Sequence, residues 1–202
     1  LNYMRIGGVS KDIPPEWMPQ ARKLLKELPD RFAEYEDLLL SNEIIIARSR
    51  GIGALTAEEA MNYSVSGPML RASGVAWDVR KADPYCAYDK LDFDIAVGKN
   101  GDVFDRFVVR LAEMRQSLHM LEQALDMIPS GPVHARLGTA TVQPWGQAVA
   151  PLAYRPPVGE AYARIESPRG ELGYYIVSDG GPAPFRLHIR SPSFINLSPL
   201  KL

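Results

Sequence analysis

Cysteine is nearly absent from this chain, which has a single thiol, Cys86, among its 202 residues. One thiol cannot build an internal disulfide framework, and a chain of this kind suits a reducing compartment. No apolar run approaches the roughly 18 to 20 residues that span a bilayer, and the N-terminus lacks the basic and apolar regions of a signal peptide. We therefore expect a soluble or peripherally attached chain without disulfides.

An excess of charge of either sign is also missing. The chain has 23 basic and 24 acidic residues, which gives a formal net charge of −1. Nucleic-acid-binding modules normally carry a concentrated basic face, so this balance predicts no nucleic-acid partner. With 46% apolar residues, the chain is long enough to bury one sizeable core, and a single domain is expected.

Imidazole and thiol ligands for a metal are few, and they lie far apart in the sequence: Cys86, His119, His134 and His188. Metal centres of this type typically use pairs of ligands a few residues apart, so the spacing predicts no metal site. For His119, next to an apolar helix position, a solvated side chain is favoured over a proton relay. Gly51-Ile-Gly53 stops after two glycines, which predicts no nucleotide-binding loop.

Two long segments have the periodicity of amphipathic helices. Residues 14–40 show one apolar face, and Pro29 should kink or divide that helix. Residues 102–128 show a more regular face, with Asp102 as a cap and Pro129-Ser-Gly131 as a stop. The predicted faces are Trp17, Ala21, Leu24, Leu28, Phe32, Tyr35 and Leu39 in the first segment, and Phe104, Phe107, Leu111, Met114, Leu118, Leu121, Leu125 and Ile128 in the second.

Two shorter signals lie between these helices. Thr56-Ala-Glu-Glu59 has the sequence of a capping box, which predicts a short helix through Tyr63. Leu91-Asp-Phe-Asp94 alternates apolar and acidic residues, and this favours an edge strand over 91–97, with the acidic residues outward, over a metal or catalytic role. A calcium loop would need a different spacing and a terminal glutamate.

From Tyr162 onward the apolar period changes to two. Apolar residues alternate on both sides of a turn at Asp179-Gly-Gly181, which predicts an antiparallel hairpin with one buried face. The residues predicted for that face are Leu172, Tyr174, Ile176, Phe185, Leu187 and Ile189. Arg186, His188 and Arg190 alternate with them. These three could contact an acidic partner, although an exposed cationic strand face is the more common explanation.

Helices followed by consecutive strands predict an α+β fold, a helical bundle with a long core helix flanked by a small antiparallel sheet. Residues 1–130 form the mainly helical part. The Pro- and Gly-rich residues 131–160 have no period and are expected to wrap the surface as irregular chain. Residues 161–197 form the β-hairpin part.

One block of sequence, V-S-G-P-M-L-R-A-S-G-V-A-W-D-V-R-K at residues 65–81, is too particular for generic loop chemistry. Four further blocks accompany it, at 2–8, 101–106, 113–117 and 167–181. Together they make the chain resemble the D subunit of respiratory complex I, the large quinone-module component of its peripheral arm. That complex is the proton-pumping NADH:quinone oxidoreductase.

The resemblance implies a hydrogenase large-subunit-like fold, because nickel-iron hydrogenase large subunits are related in fold to this family. The two Cys-x-x-Cys pairs that hold the metal in those enzymes are absent here. The resemblance also implies that the chain belongs to the quinone-reducing core of the complex, where electrons from NADH pass through iron-sulfur clusters to quinone. Expected partners are the other complex I subunits, especially the small subunit with the terminal iron-sulfur cluster. Membrane contact is expected only through the complex, on the cytoplasmic side of the bacterial inner membrane.

The family's quinone-headgroup residues precede Leu1, so the resemblance implies a fragment without catalytic, quinone-binding or metal-ligating residues of its own. We expect this fragment to bind no cofactor, to be inactive alone and to act as scaffold and subunit interface. Quinone and the neighbouring iron-sulfur cluster belong to the full complex. Seven residues in the blocks are assigned to an interface or a charge network: Arg5, Arg71, Trp77, Arg80, Asp105, Arg169 and Glu171. A solvated loop stays an open alternative for those at 71–80.

Two other classes of protein also stay open. The large subunit of a membrane-bound, hydrogenase-related ion-pumping complex would share the fold, and four metal-binding cysteines in the full-length protein would favour it. A non-catalytic interaction module could keep the same fold. Absence of the N-terminal quinone residues from the complete gene would favour that class.

Overall fold

The computed structural model describes residues 3–5, 8–133 and 155–201. These ranges contain seven α-helices and a three-stranded antiparallel sheet, which confirms the predicted mixture of helix and sheet. A short ladder near the start pairs β1 (Met4–Arg5) with β2 (Gly8–Val9). His134 and most of the predicted irregular wrap at 131–160 lie outside the described residues.

The helices differ greatly in length, and two of them dominate the helical part. In chain order they are α1 (Trp17–Leu40), α2 (Glu43–Ser49), α3 (Ala57–Asn62), α4 (Pro68–Ala72), α5 (Val79–Ala82), α6 (Val103–Met127) and α7 (Pro192–Ile195). Single 3-10 turns occur at Tyr88–Lys90 and Ser198–Lys201. The long helices α1 and α6 pack against each other, and α4 packs on α6.

Helix α1 runs without a break through Pro29, so of the two predicted effects of this proline, a kink or a division, the division does not occur. Proline lacks the N–H that would bond the carbonyl four residues earlier. The loss of that one bond is tolerated in a helix of 24 residues that packs on α6. Two ion pairs, Arg22–Asp126 and Arg115–Glu36, also join α1 to α6.

The face that α1 buries is rotated from the predicted one. Leu25 and Phe32 are buried, whereas Trp17, Leu24 and Tyr35 are exposed. The apolar arc of this helix is therefore wider than the strip that neighbouring elements cover in the described part of the chain. Periodicity located the arc but did not determine which edge of it would be covered.

Helix α6 begins where the sequence predicts. The Asp102 carboxylate accepts a hydrogen bond from the Asp105 N–H at 2.8 Å and caps the first turn. The predicted apolar face is only partly correct, because Leu121 and Ile128 are exposed and Met114 and Leu118 are half-buried. The apolar residues buried most deeply on this helix are Val109, Leu111, Met120 and Leu125.

The short helix α3 confirms the predicted capping box. The Thr56 hydroxyl accepts from the Glu59 N–H at 3.2 Å, and the Glu59 carboxylate accepts from the Thr56 N–H at 2.9 Å. Both bonds satisfy N–H groups that have no partner inside the helix. Next to it, Leu55, Ala60, Val65 and Leu70 form a small apolar core.

The segment 91–97 is not the predicted strand, although its alternation is correct. Phe93 is buried, and Asp92 and Asp94 are exposed. No second strand lies beside it within the described ranges. Instead, two glutamine side chains of α6 accept from its backbone: Gln123 from the Asp92 N–H at 2.8 Å and Gln116 from the Asp94 N–H at 3.0 Å.

The sheet consists of β3 (Gly159–Ser167), β4 (Gly170–Ser178) and β5 (Arg186–Arg190), in that order. Its strands are all antiparallel. The sequence predicts a two-stranded hairpin around Asp179-Gly-Gly181, and β3 adds a third strand on the other side of β4. The register places one set of apolar side chains on a common face: Ala161, Ala163, Ile165, Leu172, Tyr174, Ile176, Leu187 and Ile189.

The predicted burial of that apolar face is wrong. Ile165, Tyr174, Ile176, Leu187 and Ile189 are each between 38% and 48% exposed. The opposite face of β3, which carries Arg164 and Glu166, is the one that contacts the helical part, near α5. The sheet therefore docks through charged side chains, and alternation alone could not show which face would be covered.

Candidate functional site

Two of the sequence blocks touch each other through glycine. A Cβ atom on Gly67 would lie 2.4 Å from the Gly170 Cα, and a Cβ on Gly170 would lie 2.8 Å from the Ser66 carbonyl carbon. Both glycines also have positive φ, a conformation that other residues adopt at a cost. The start of α4 and the start of β4 therefore approach so closely that only glycine fits at the contact.

Hydrogen bonds from polar side chains stabilise the same contact between α4 and β4. The Ser66 hydroxyl accepts from the Glu171 N–H at 3.0 Å, and the Asn196 side chain bonds both the N–H and the carbonyl of Ser66. The Arg190 guanidinium donates to the carbonyls of Glu171 and Ser64 at 2.7 and 2.8 Å. These bonds satisfy backbone groups that the close packing removes from water.

Arg71, at the end of α4, forms the centre of a buried charge network. Its side chain is 2% exposed. Its Nε donates to Glu113 of α6 at 2.6 Å, and its Nη1 donates at 2.9 Å to both Glu166 of β3 and the Trp77 carbonyl. The Asp78 carboxylate lies 3.6 Å from the same Nη1. One guanidinium thus links α4, the start of α5, α6 and the sheet.

Asp78 and Arg80 extend this network. The Asp78 carboxylate accepts from Arg80 Nε at 2.9 Å and from its Nη2 at 2.6 Å, a bidentate geometry that is among the stronger ion-pair arrangements. It also accepts from the Arg80 backbone N–H and so caps α5. The Arg80 guanidinium lies 4.9 Å from the centroid of the Phe93 ring.

Two carboxylates of the network, Glu166 and Asp78, have pKa values that shift in opposite directions. Burial raises the pKa of Glu166, and the negative charge of Asp78 adds to this, while attraction to Arg71 opposes it. Burial also disfavours ionisation of Asp78, but its hydrogen bonds and charge pairing with Arg80 bring the pKa below its usual value. Two arginines face three carboxylates in this network, so Glu166 is the member best placed to hold a proton.

A cavity of about 520 Å³ borders the network. Arg71, Arg80, Glu113 and Glu166 contribute to its lining. The charge network can fix the positions of the four segments that it links. It can also hold charged groups or a proton beside the cavity. The side chains described for the network include no nucleophile paired with a general base.

Comparison with known proteins identifies the family. Residues 1–202 match the family model described as the 49 Kd subunit of respiratory-chain NADH dehydrogenase. The chain belongs to this family. This confirms the resemblance to the D subunit of complex I that the five sequence blocks carry.

Individual relatives agree with this assignment. A Roseiflexus sp. strain RS-1 protein, named as the D 1 subunit of NADH-quinone oxidoreductase, is 50% identical over 205 residues, covering 98% of this chain and 52% of that protein. The D 2 subunit of Herpetosiphon aurantiacus is 50% identical over 199 residues, with 98% and 51% covered. Subunit 4 of the Thermus thermophilus enzyme is 45% identical over 211 residues, with 98% and 52% covered. The chain spans about half the length of the curated relatives it matches.

Arg71 and Arg80, two of the seven residues assigned to an interface or a charge network, lie in the buried charge network. The solvated-loop alternative does not describe Arg71, which is enclosed by four elements. The backbone carbonyl of Trp77 accepts a hydrogen bond from Arg71 and so belongs to the network. The Trp77 ring is partly exposed and lies 5.9 Å from the Arg164 guanidinium.

The other residues assigned from the 49 Kd family resemblance lie elsewhere. Asp105 accepts from the N–H groups of Lys99 and Asn100 at 2.7 and 2.6 Å and anchors the loop before α6. Arg169 is exposed and donates to the Ser193 hydroxyl at 3.3 Å. The Glu171 side chain lies 3.6 Å from Arg164. Arg5 lies in β1, and its side chain is outside the described part of the chain.

The cationic stripe on β5 divides into two environments. Arg186 and His188 are exposed, as the more common explanation predicts. Arg190 turns inward to the backbone of the glycine contact and is not a free surface group. An acidic partner could therefore reach only the first two.

Sequence reasoning missed Glu113 and Glu166 as members of the network. Glu113 opens one of the matching blocks, and Glu166 immediately precedes another. A buried arginine requires acidic partners, so carboxylates at the edges of the blocks were the available signal. Which carboxylates meet Arg71 depends on contacts between residues 42 and 95 positions apart.

The described ranges hold neither a metal cluster nor a membrane-spanning helix. No three His, Cys, Asp or Glu side chains come together there in an arrangement that could hold a metal ion. None of the helices in residues 3–5, 8–133 and 155–201 combines the length and apolar character that a membrane span requires.

Proposed function

We propose that this chain forms part of the quinone-reducing core subunit of a proton-pumping NADH:quinone oxidoreductase. In that reaction, electrons pass from NADH through iron-sulfur clusters to quinone. The observation that carries the proposal is the family match along all 202 residues, together with relatives named as D subunits of NADH-quinone oxidoreductase. The chain is proposed to share the fold of nickel-iron hydrogenase large subunits without their metal-binding cysteine pairs.

Within that complex the chain acts mainly as scaffold. The buried network supports this role, because Arg71 is 2% exposed and its side chain bonds groups of three other segments, Glu113, Glu166 and the Trp77 carbonyl. Removal of one member of a buried ion pair leaves its partners charged and unpaired. The network thus fixes how the sheet and α4 sit on α6. The chain binds no cofactor itself, and quinone and the neighbouring cluster contact other parts of the complex.

The apolar face of the sheet is the part that best suits a subunit contact. Eight apolar side chains lie on it in register, and the five largest exposed ones, Ile165, Tyr174, Ile176, Leu187 and Ile189, are each at least 38% exposed. Contiguous exposed apolar surface of this kind marks protein–protein contacts. The proposed partners are other complex I subunits, especially the small subunit with the terminal iron-sulfur cluster. Through them the chain is attached to the cytoplasmic side of the bacterial inner membrane.

Purification of the intact protein from its host through an affinity tag tests this proposal. We expect it to co-purify with iron-sulfur subunits and with activity that oxidises NADH and reduces quinone. Arg71→Ala should lower the yield of that complex, because an unpaired buried charge costs about 3 to 5 kcal/mol. Arg22→Ala is the matched control, since its ion pair is exposed and worth at most about 1 kcal/mol.

Two results would contradict the proposal. One is recovery of the protein without any iron-sulfur subunit or NADH:quinone activity, which is the outcome expected for an interaction module. The other is recovery with hydrogen-oxidising activity and bound nickel, which would assign the chain to a hydrogenase-related complex.

A further inference from the structure

A second cavity, of about 320 Å³, lies on the side of α6 that faces the β3–β4 turn. Its lining contains three arginines, Arg106, Arg110 and Arg169, together with Ser193 and Asn196. Arg106 and Arg110 are one helical turn apart on α6, so they present like charges on the same face. Arg169 approaches from the turn between the strands. Every polar side chain in this set can donate a hydrogen bond.

No acid in the described part of the chain neutralises these arginines. None of the three forms an ion pair within residues 3–5, 8–133 and 155–201, and the lining contains no carboxylate. Asp102 attracts Arg106, but its carboxylate already accepts from the N–H groups of Gly51 and Asp105. The residues outside the described ranges carry no aspartate or glutamate side chain. No carboxylate side chain among these 202 residues therefore pairs with the three arginines.

The arginines also retain unused donors. Arg106 Nε is buried and has no hydrogen-bond partner among the described residues, while its Nη2 donates to the carbonyls of Gly53 and Gly101. Arg110 Nη1 has a long bond of 3.3 Å to the Pro168 carbonyl. Burial lowers the pKa of Arg106, and the negative charge of Asp102 partly compensates. A buried, unpaired donor beside two further guanidinium groups indicates a missing anion.

We propose that this three-arginine cavity binds a phosphate group, either free phosphate or the headgroup of a phospholipid. A guanidinium matches phosphate oxygens with parallel N–H bonds, and the tetrahedral oxygens of a phosphate group can accept from three guanidinium groups at once, whereas a carboxylate has only two oxygens in one plane. The exposed side chains of Phe194, Leu197 and Leu200 follow the cavity's Ser193. They give a reason to test a lipid source as well as a soluble one. The site is independent of the proposed reaction.

Titration calorimetry on the intact protein at about 0.15 M salt, where surface attraction is largely screened, distinguishes the sources. The probes are inorganic phosphate, glycerol 3-phosphate, and phosphatidylcholine vesicles with and without phosphatidylglycerol. Saturable binding of the soluble phosphates identifies a small-molecule site. Binding only to vesicles that contain phosphatidylglycerol identifies a lipid headgroup. In either case the double variant Arg110→Gln/Arg169→Gln should weaken binding at least tenfold, and Arg22→Gln should leave it unchanged.

The substitutions suit this test because Arg110 and Arg169 are exposed at the cavity mouth, so the fold should persist. Circular dichroism and a thermal melt verify this. The proposal is overturned if no probe binds, if the double variant binds like Arg22→Gln, or if acetate binds as tightly as phosphate. The last result would assign the cavity to a carboxylate instead.

Discussion

Glu166 is the residue whose ionisation matters most for the buried network. Burial and the charge of Asp78 raise its pKa against the attraction of Arg71. The folded protein therefore holds this proton more tightly than the unfolded chain does. The resulting stabilisation is fully present below the ordinary glutamate pKa of about 4.3 and is lost as the pH rises through the raised value.

Glu166→Gln removes this titration. The difference in unfolding free energy, wild type minus variant, should therefore decrease as the pH rises from about 4 to 7, as measured by urea melts. Glu36→Gln is the control of opposite sign, because a hydrogen bond from Arg115 lowers the pKa of Glu36. Its difference should grow as the pH rises. A difference for Glu166→Gln that stays constant or grows would show that the folded state does not favour the protonated carboxyl.

At the scale of elements, the contact between α4 and β4 depends on glycine. Gly67→Ala should cost at least about 2 kcal/mol more than Gly51→Ala, because a Cβ at Gly67 overlaps backbone that cannot move aside. Gly51 is the matched control, since it also has positive φ but a Cβ there would meet nothing within 4 Å. Equal losses of unfolding free energy for the two variants would mean that backbone strain, and not the close approach, requires glycine.

The packing of α6 gives a second element-scale prediction. Leu111 is 6% exposed and Leu121 is 50% exposed on the same helix. Leu111→Ala should therefore cost about 2 to 5 kcal/mol, and Leu121→Ala less than about 1 kcal/mol. Denaturant melts check both. If Leu121→Ala cost as much as Leu111→Ala, the face predicted from periodicity would be buried at Leu121 as well, contrary to the structure.

Local signals predicted the starts of elements well. Asp102 and Thr56 cap helices because their partners lie three residues away, within the range that a sequence pattern covers. The strand predicted at 91–97 failed for the opposite reason. Its backbone bonds come from Gln116 and Gln123, and no local pattern reveals that a helix will supply them.

At the scale of the whole molecule, the orientation of the sheet could not be predicted. Both faces of the β3–β4 hairpin alternate regularly, and the usual expectation is that the apolar face is buried. Here the charged face docks, because Arg71 requires Glu166 as a partner. The family blocks identified Arg71 and Arg80, but the acids that complete the site become evident only when the helical part and the sheet are brought together.

A double-mutant cycle between Arg71 and Glu166 tests the central claim, that this ion pair joins the helical part to the sheet. The variants are Arg71→Met, Glu166→Gln and their combination, with unfolding free energies from denaturant melts. Each single change should leave a buried charged group without its partner. The double variant should therefore lose about 1 to 3 kcal/mol less unfolding free energy than the two single variants lose in sum. A cycle between Arg22 and Glu166, which share no partner, should be additive. Additivity within about 0.5 kcal/mol for Arg71 and Glu166 as well would contradict the account.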